Sequence, residues 1–156
     1  MGAMIEITDF IDFRLDGFDS AQPRAKGPLA VVFWRIGCST SRLTAPFFDR
    51  LQKAYPFATV VGICQEARAD IDAYMQENKL SFRQAADEKL QVSRKYRIQI
   101  VPTYFLTDAS GKILESGNSW DAEAIERFST RIAKAGGVEP VEIVRDTDGV
   151  PAFKPG

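Results

Sequence analysis

Cys38 and Cys64 are the two thiols of a 156-residue chain that contains no histidine. A thiol acts as a nucleophile only when ionised, so the question is what surrounds each sulfur. Cys38 follows the apolar run Leu29 to Trp34 and lies in Gly37-Cys38-Ser39-Thr40-Ser41, a turn and helix-start signal. A helix start leaves backbone N–H groups unpaired and carries a partial positive charge. Such a setting lowers a cysteine pKa from about 8.5 to roughly 3.5–7.5. Arg35 and Arg42 flank the turn and reinforce the effect, while Ser39, Thr40 and Ser41 add hydroxyl donors. The competing reading of Cys38 is an inert turn cysteine. Cys64 closes a second apolar run, where a cysteine is expected to be buried and structural. A disulfide to Cys38 requires Cα atoms within about 7 Å, and Cys38 already lies past the end of its strand. Glu66 follows shortly after and stands as an auxiliary proton acceptor or, more simply, a solvated loop glutamate.

Composition removes other chemistries. Without histidine there is no Ser-His-Asp or Cys-His machinery and no His-ligated zinc. Two cysteines are too few for a disulfide-rich scaffold or a four-thiolate metal site, so neither a metal nor a cofactor is expected. The 20 basic and 21 acidic residues give a net charge of -1, with no pull toward nucleic acid or an anionic membrane. No run of about 18 apolar residues is present. Met1-Gly2-Ala3 before Met4 reads as a cloning scar, so residues 1–4 are set aside. A native start at Met4 implies a cytoplasmic protein; a removed export signal would imply a periplasmic or exported one.

The elements that must position Cys38 follow from the pattern. Ile5 to Leu15 alternates weakly and reaches a turn at Asp16-Gly17, and Gln22 to Pro28 reads as a loop. Leu29 to Trp34 and Thr59 to Cys64 are continuous apolar runs of strand length, the mark of strands buried on both faces. Between them Leu43, Phe47, Phe48, Leu51 and Tyr55 recur at helical spacing, with Pro46 inside the helix. Further helices are expected over Ala69 to Lys79, Glu88 to Tyr96 and Asp121 to Ala135, the last ended by Gly136-Gly137. Thr103 to Thr107 reads as a strand, and Ala109-Ser110-Gly111 as a turn into Lys112 to Glu115. Alternating strands and helices predict an α/β fold with a partly parallel sheet. The Pro- and Gly-rich stretch 136–156 forms an extension beyond a domain at 5–135.

Phe33-Trp34-Arg35-Ile36-Gly37-Cys38-Ser39-Thr40-Ser41-Arg42 resembles the Phe-Trp-x-x-Trp-Cys-x-x-Cys-Arg/Lys segment of the thioredoxin superfamily. Ile100-Val101-Pro102-Thr103 resembles that superfamily's loop with a cis proline beside the reactive thiol, and the mid-helix Pro46 fits as well. Asp12-Phe13-Arg14-Leu15-Asp16-Gly17 and Val60-Val61-Gly62-Ile63 are most similar to the redoxin branch, which holds TlpA/ResA-like proteins and AhpC/TSA relatives. The resemblance implies a thioredoxin fold: a central mixed sheet flanked by helices on both faces, with an N-terminal strand extension and a C-terminal tail.

The departures are specific. The second motif cysteine is Ser41, the tryptophan before the first is Gly37, and the buried aspartate of thioredoxin falls at Val32. The resemblance therefore implies monothiol disulfide exchange, with Cys38 and Ser41 catalytic and an outside thiol such as glutathione releasing a disulfide-containing protein. Trp34, Gly37, Ser39, Thr40, Val101 and Pro102 are the implied substrate contacts. Two other readings compete: a redox-inactive module that holds an extended peptide beside Pro102, and an AhpC/TSA-type peroxidase. The last is disfavoured because Val31 and Arg35 stand where peroxiredoxins keep a proline and a Thr/Ser.

Overall fold

The computed structural model describes residues 9–156. Its centre is a five-stranded mixed sheet. The strands are β3 (Leu29–Trp34), β4 (Thr59–Cys64), β5 (Arg83–Ala86), β6 (Thr103–Thr107) and β7 (Ile113–Asn118), in the order β5-β4-β3-β6-β7. β3 runs parallel to β4, and β4 to β5, whereas β6 and β7 continue antiparallel. This is the thioredoxin fold.

The apolar runs of β3 and β4 are explained by their two covered faces. Ala30, Val32, Trp34, Val60 and Cys64 point to one core, with α2 (Ser39–Ala54), α3 (Arg68–Glu77) and α5 (Ala122–Gly136). Leu29, Val31, Phe33, Val61 and Ile63 point to the other. That second face is covered by Val92 of the short α4 (Gln91–Lys95), by the adjoining Tyr96, and by Phe10, Phe13 and Phe18. Burial of each large apolar side chain contributes about 1.5–3 kcal/mol before chain entropy is counted. Val32 pairs with Gly62 and Tyr104, and the indole N–H of Trp34, in the same core, donates to Gln84 Oε1 at 2.9 Å.

Several boundaries correct the sequence reading. Of Ile5 to Leu15, residues 5–8 lie outside the described residues, as do Met1 to Met4. Within the remainder, Asp9 makes an isolated bridge to Lys112 and Arg14–Leu15 (β1) pairs with Phe18–Asp19 (β2). Asp16 and Gly17 close that hairpin with φ of 51° and 76°, the left-handed pair a tight hairpin turn requires. The expected loop Gln22 to Pro28 contains α1 (Ala21–Lys26); Pro23 falls in its first turn, where a missing N–H costs no hydrogen bond. The patch near Phe82 leads into β5, whose Arg-Gln-Ala-Ala lacks strand-favouring residues and pairs because it lies beside β4. The helix expected over Glu88 to Tyr96 is only Gln91–Lys95.

The extension from Val138 is ordered on the body. The Val141 N–H donates to the Tyr55 hydroxyl at 2.7 Å, and the Ile143 and Val144 N–H groups donate to one oxygen of Glu126 at 2.8 and 2.7 Å. Arg50 makes a two-pronged pair with Asp148, 2.8 Å at each contact. The chain then adds β9 (Phe153–Lys154) antiparallel to β8 (Trp120–Asp121). No helix among the described residues is long and apolar enough to cross a membrane.

Candidate functional site

Cys38 caps the N-terminus of α2 with extended backbone angles, φ −99° and ψ 121°. Its carbonyl accepts the first helical hydrogen bond, from Arg42 N–H at 3.0 Å, which leaves the N–H groups of the first turn facing the sulfur. Burial pushes the thiol up. The backbone N–H and hydroxyl of Ser41, the Thr40 N–H and the Arg35 charge outweigh it, and the pKa is held below that of an ordinary cysteine. The balance comes from donors that favour the charged form. Cys38 is partly exposed and free, so the sulfur is reachable.

The second half of the site is the loop before β6. The Val101–Pro102 peptide bond is cis, as expected. The Cys38 thiol donates to Val101 O at 3.6 Å, which places loop and thiol in contact. Pro102 is buried while Val101 remains partly exposed. The Pro102 carbonyl is held by Ser119 N–H at 2.8 Å, and the Thr103 hydroxyl donates to Ile100 O at 2.6 Å. The loop is therefore fixed from both sides.

Other expected residues separate by position. Gly37 and Ser39 are exposed beside Cys38. The Gly37 N–H donates to a Glu66 carboxylate oxygen at 3.4 Å, so Glu66 reaches the turn. Arg42 donates to Ile36 O at 2.7 Å and, like Arg35, is exposed. Ser41 is fully buried and its hydroxyl accepts Arg35 N–H at 3.3 Å.

Two of the residues implied as substrate contacts have buried side chains. Trp34 is 1% exposed and packs on Tyr74, in the core that lies between the sheet and α2, α3 and α5. Thr40 is 3% exposed and its hydroxyl donates to Pro155 O at 2.7 Å, so it faces the extension.

Cys64 lies in register with Trp34 and is fully buried. Burial, with the Glu66 charge adding to it, pushes its thiol up to about 12. It is therefore a protonated core thiol, as expected of a strand cysteine.

Sequence reading missed the contribution of the extension. Lys154 Nζ donates to Ser39 Oγ at 3.2 Å and Gly156 N–H donates to Ser119 Oγ at 3.0 Å. These contacts join residues far apart in the chain by side-chain bonds, and no periodicity announces them.

The sequence profile described as the AhpC/TSA family matches residues 8–116. Sporulation thiol-disulfide oxidoreductase A of Bacillus subtilis is 24% identical over 110 residues, which is 67% of either chain. Among solved structures, a candidate thiol:disulfide interchange protein DsbE from Chlorobium tepidum superposes with a TM-score of 0.74 at 23% identity, covering 85% of this chain and 99% of that one. A secreted Mycobacterium tuberculosis disulfide oxidoreductase gives 0.63 at 22% identity, with 82% and 95% covered.

Proposed function

This chain belongs to the AhpC/TSA family, and from that premise we propose that it is a thiol–disulfide oxidoreductase working through the single thiolate of Cys38. The observation that carries the reading is the Cys38 sulfur, held by helix-start donors, 3.6 Å from the carbonyl that precedes a cis proline. The thiol-disulfide oxidoreductase activity for which the Bacillus subtilis relative is named supports it.

In the first step the Cys38 thiolate attacks one sulfur of a disulfide RS–SR′. The S–S bond breaks, Cys38–S–SR forms, and R′S⁻ leaves with the electron pair. An external thiolate R″S⁻ then attacks the R sulfur of the mixed disulfide, releasing R″S–SR and restoring the Cys38 thiolate. Cys38 begins and ends reduced, and the sum is an exchange: the outside thiolate is oxidised into R″S–SR as R′S⁻ is released, and a second outside thiolate attacking R″S–SR completes the two-electron reduction by freeing RS⁻. Donors from Thr40 and Ser41 stabilise negative charge on this sulfur, so they assist it as nucleophile in the first step and as leaving group in the second. Cys64 takes no part, because a buried thiol pushed up to about 12 offers no thiolate near neutrality. The partners are a disulfide-containing protein and a small resolving thiol such as glutathione. The secreted relative supports an exported setting over a cytoplasmic one.

The test is a pH titration of Cys38 joined to mass spectrometry of the reduced protein after exposure to glutathione disulfide. A pKa below that of free cysteine and one adduct, absent in Cys38→Ser, are expected. A pKa at or above about 8.5 with no adduct overturns the reading. Partner capture that survives Cys38→Ser unchanged would point to the binding module instead. Oxidation by hydrogen peroxide is expected to run no faster than for a free thiol.

A further inference from the structure

Residues 150–156 return to the reactive face after crossing α5, on a path fixed at several points. The Trp120 indole N–H donates to Pro151 O at 2.6 Å and Ala122 N–H to Ala152 O at 3.0 Å. Phe153 and Lys154 then pair with Asp121 and Trp120. Beyond them, Thr40 Oγ donates to Pro155 O, and Gly156 N–H donates to Ser119 Oγ. Gly156 packs so closely on the cis-proline loop that a Cβ there would stand 2.5 Å from Val101 O and 2.7 Å from Ile100 Cγ2. The segment thus touches both elements that surround the thiol, the first turn of α2 and the loop before β6.

The segment also delivers a charge. Lys154 Nζ sits 3.2 Å from the hydroxyl of Ser39, the neighbour of Cys38. Ser39 is exposed, so the ammonium lies at the open rim. Arg35 and Arg42 are exposed at the same turn, and Glu66, accepting Gly37 N–H, is the opposing carboxylate. Among the described residues, Arg35, Arg42 and Lys154 thus place three cations around the turn that holds Cys38.

We infer that Phe153–Gly156 form an additional wall of the substrate groove and that Lys154 is a specificity-determining residue favouring disulfides that carry a carboxylate beside the reacting sulfurs. The inference rests on Cys38 being the reactive thiol. Lys154 does not touch the reacting atoms; it acts on the charge of the incoming disulfide. Attraction at a solvent-open rim is modest and weakened by salt, and it appears chiefly in the rate of encounter.

The experiment measures second-order mixed-disulfide formation by the reduced full chain with three probes: dianionic dithiobis(nitrobenzoate), neutral hydroxyethyl disulfide and dicationic cystamine. The anionic-to-neutral rate ratio is expected to fall about 2- to 5-fold in Lys154→Gln, in line with an exposed charge pair, and further in Lys154→Glu. The cationic-to-neutral ratio should move the opposite way. Gly156→Val keeps the ammonium but cannot seat against Val101, and the same direction of change is expected from it. An anionic-to-neutral ratio unchanged in both lysine variants overturns the specificity role, and one unchanged in Gly156→Val overturns the wall. Failure of the unaltered protein to react even with the neutral probe is a different result: it overturns the reactive-thiol reading beneath the inference.

Discussion

The Ser41 hydroxyl accepts the Arg35 backbone N–H at 3.3 Å, and this fixes its lone pair on the turn while its proton remains for the Cys38 sulfur. One hydroxyl therefore ties the turn geometry to thiolate stability. In Ser41→Ala the Cys38 pKa is expected to rise, because one hydrogen bond to the charged form is lost. Ultraviolet absorbance of the thiolate against pH measures it. A value that does not move would mean that the N–H groups and Arg35 hold the thiolate without the hydroxyl.

Cys64 sets an alkaline limit. Its folded pKa of about 12 lies above the unfolded value of about 8.5, so the unfolded chain loses its proton first. Its stabilising effect is full below about pH 8.5 and declines as pH rises toward 12, by about 1.4 kcal/mol per pH unit while only the unfolded thiol is ionised. Chemical denaturation of Cys64→Ala should lose stability less steeply over that range than the unaltered protein. Parallel slopes would refute this.

The Arg50–Asp148 pair pins the extension, and the Arg50 guanidinium together with Arg145 N–H lowers the Asp148 carboxyl to about 2. A depressed carboxyl stabilises the fold above its unfolded pKa and stops doing so as pH falls through the folded one. The pin is therefore expected to hold to about pH 4 and to be lost on the way to about pH 2. Hydrogen exchange should report faster labelling of residues 141–150 in Arg50→Met at neutral pH, with the central strands unchanged.

Asp49 is a buried carboxylate on α2 that accepts the N–H groups of Ser81 and Phe82 at 2.8 and 2.9 Å. Burial pushes its pKa up, but Lys53 and these two donors prevail and lower it. Asp49→Ala strips the donors of their partner, and a loss of about 2–3 kcal/mol is expected in denaturant unfolding. Asp49→Asn, which keeps an acceptor oxygen, should lose less.

Much of the frame was legible because its signals are local. Leu29–Trp34 and Thr59–Cys64 announce central strands by unbroken apolar composition, and both appear with the expected bounds. Cys38 and Pro102 were legible as a turn cysteine and a loop proline in the right order. β5 was not, since Arg-Gln-Ala-Ala becomes a strand only through its neighbour. α1 was hidden by Pro23 and Gly27, residues that break helices in most positions but here sit in the first turn and just past the end. Trp34 adjoins the motif, but in a strand covered on both faces its ring packs in the core that α2, α3 and α5 cover. Lys154 had no sequence signal at all: its place depends on Trp120, Thr40 and Ser119, each far away along the chain.

The path of residues 150–156 also orders events during synthesis. Thr40 and Pro155, which meet at the rim, are 115 positions apart. The sheet strand and helix that bear Cys38 leave the ribosome long before the segment that flanks them. Until residues 150–156 have been made, the groove inferred above lacks the wall they supply.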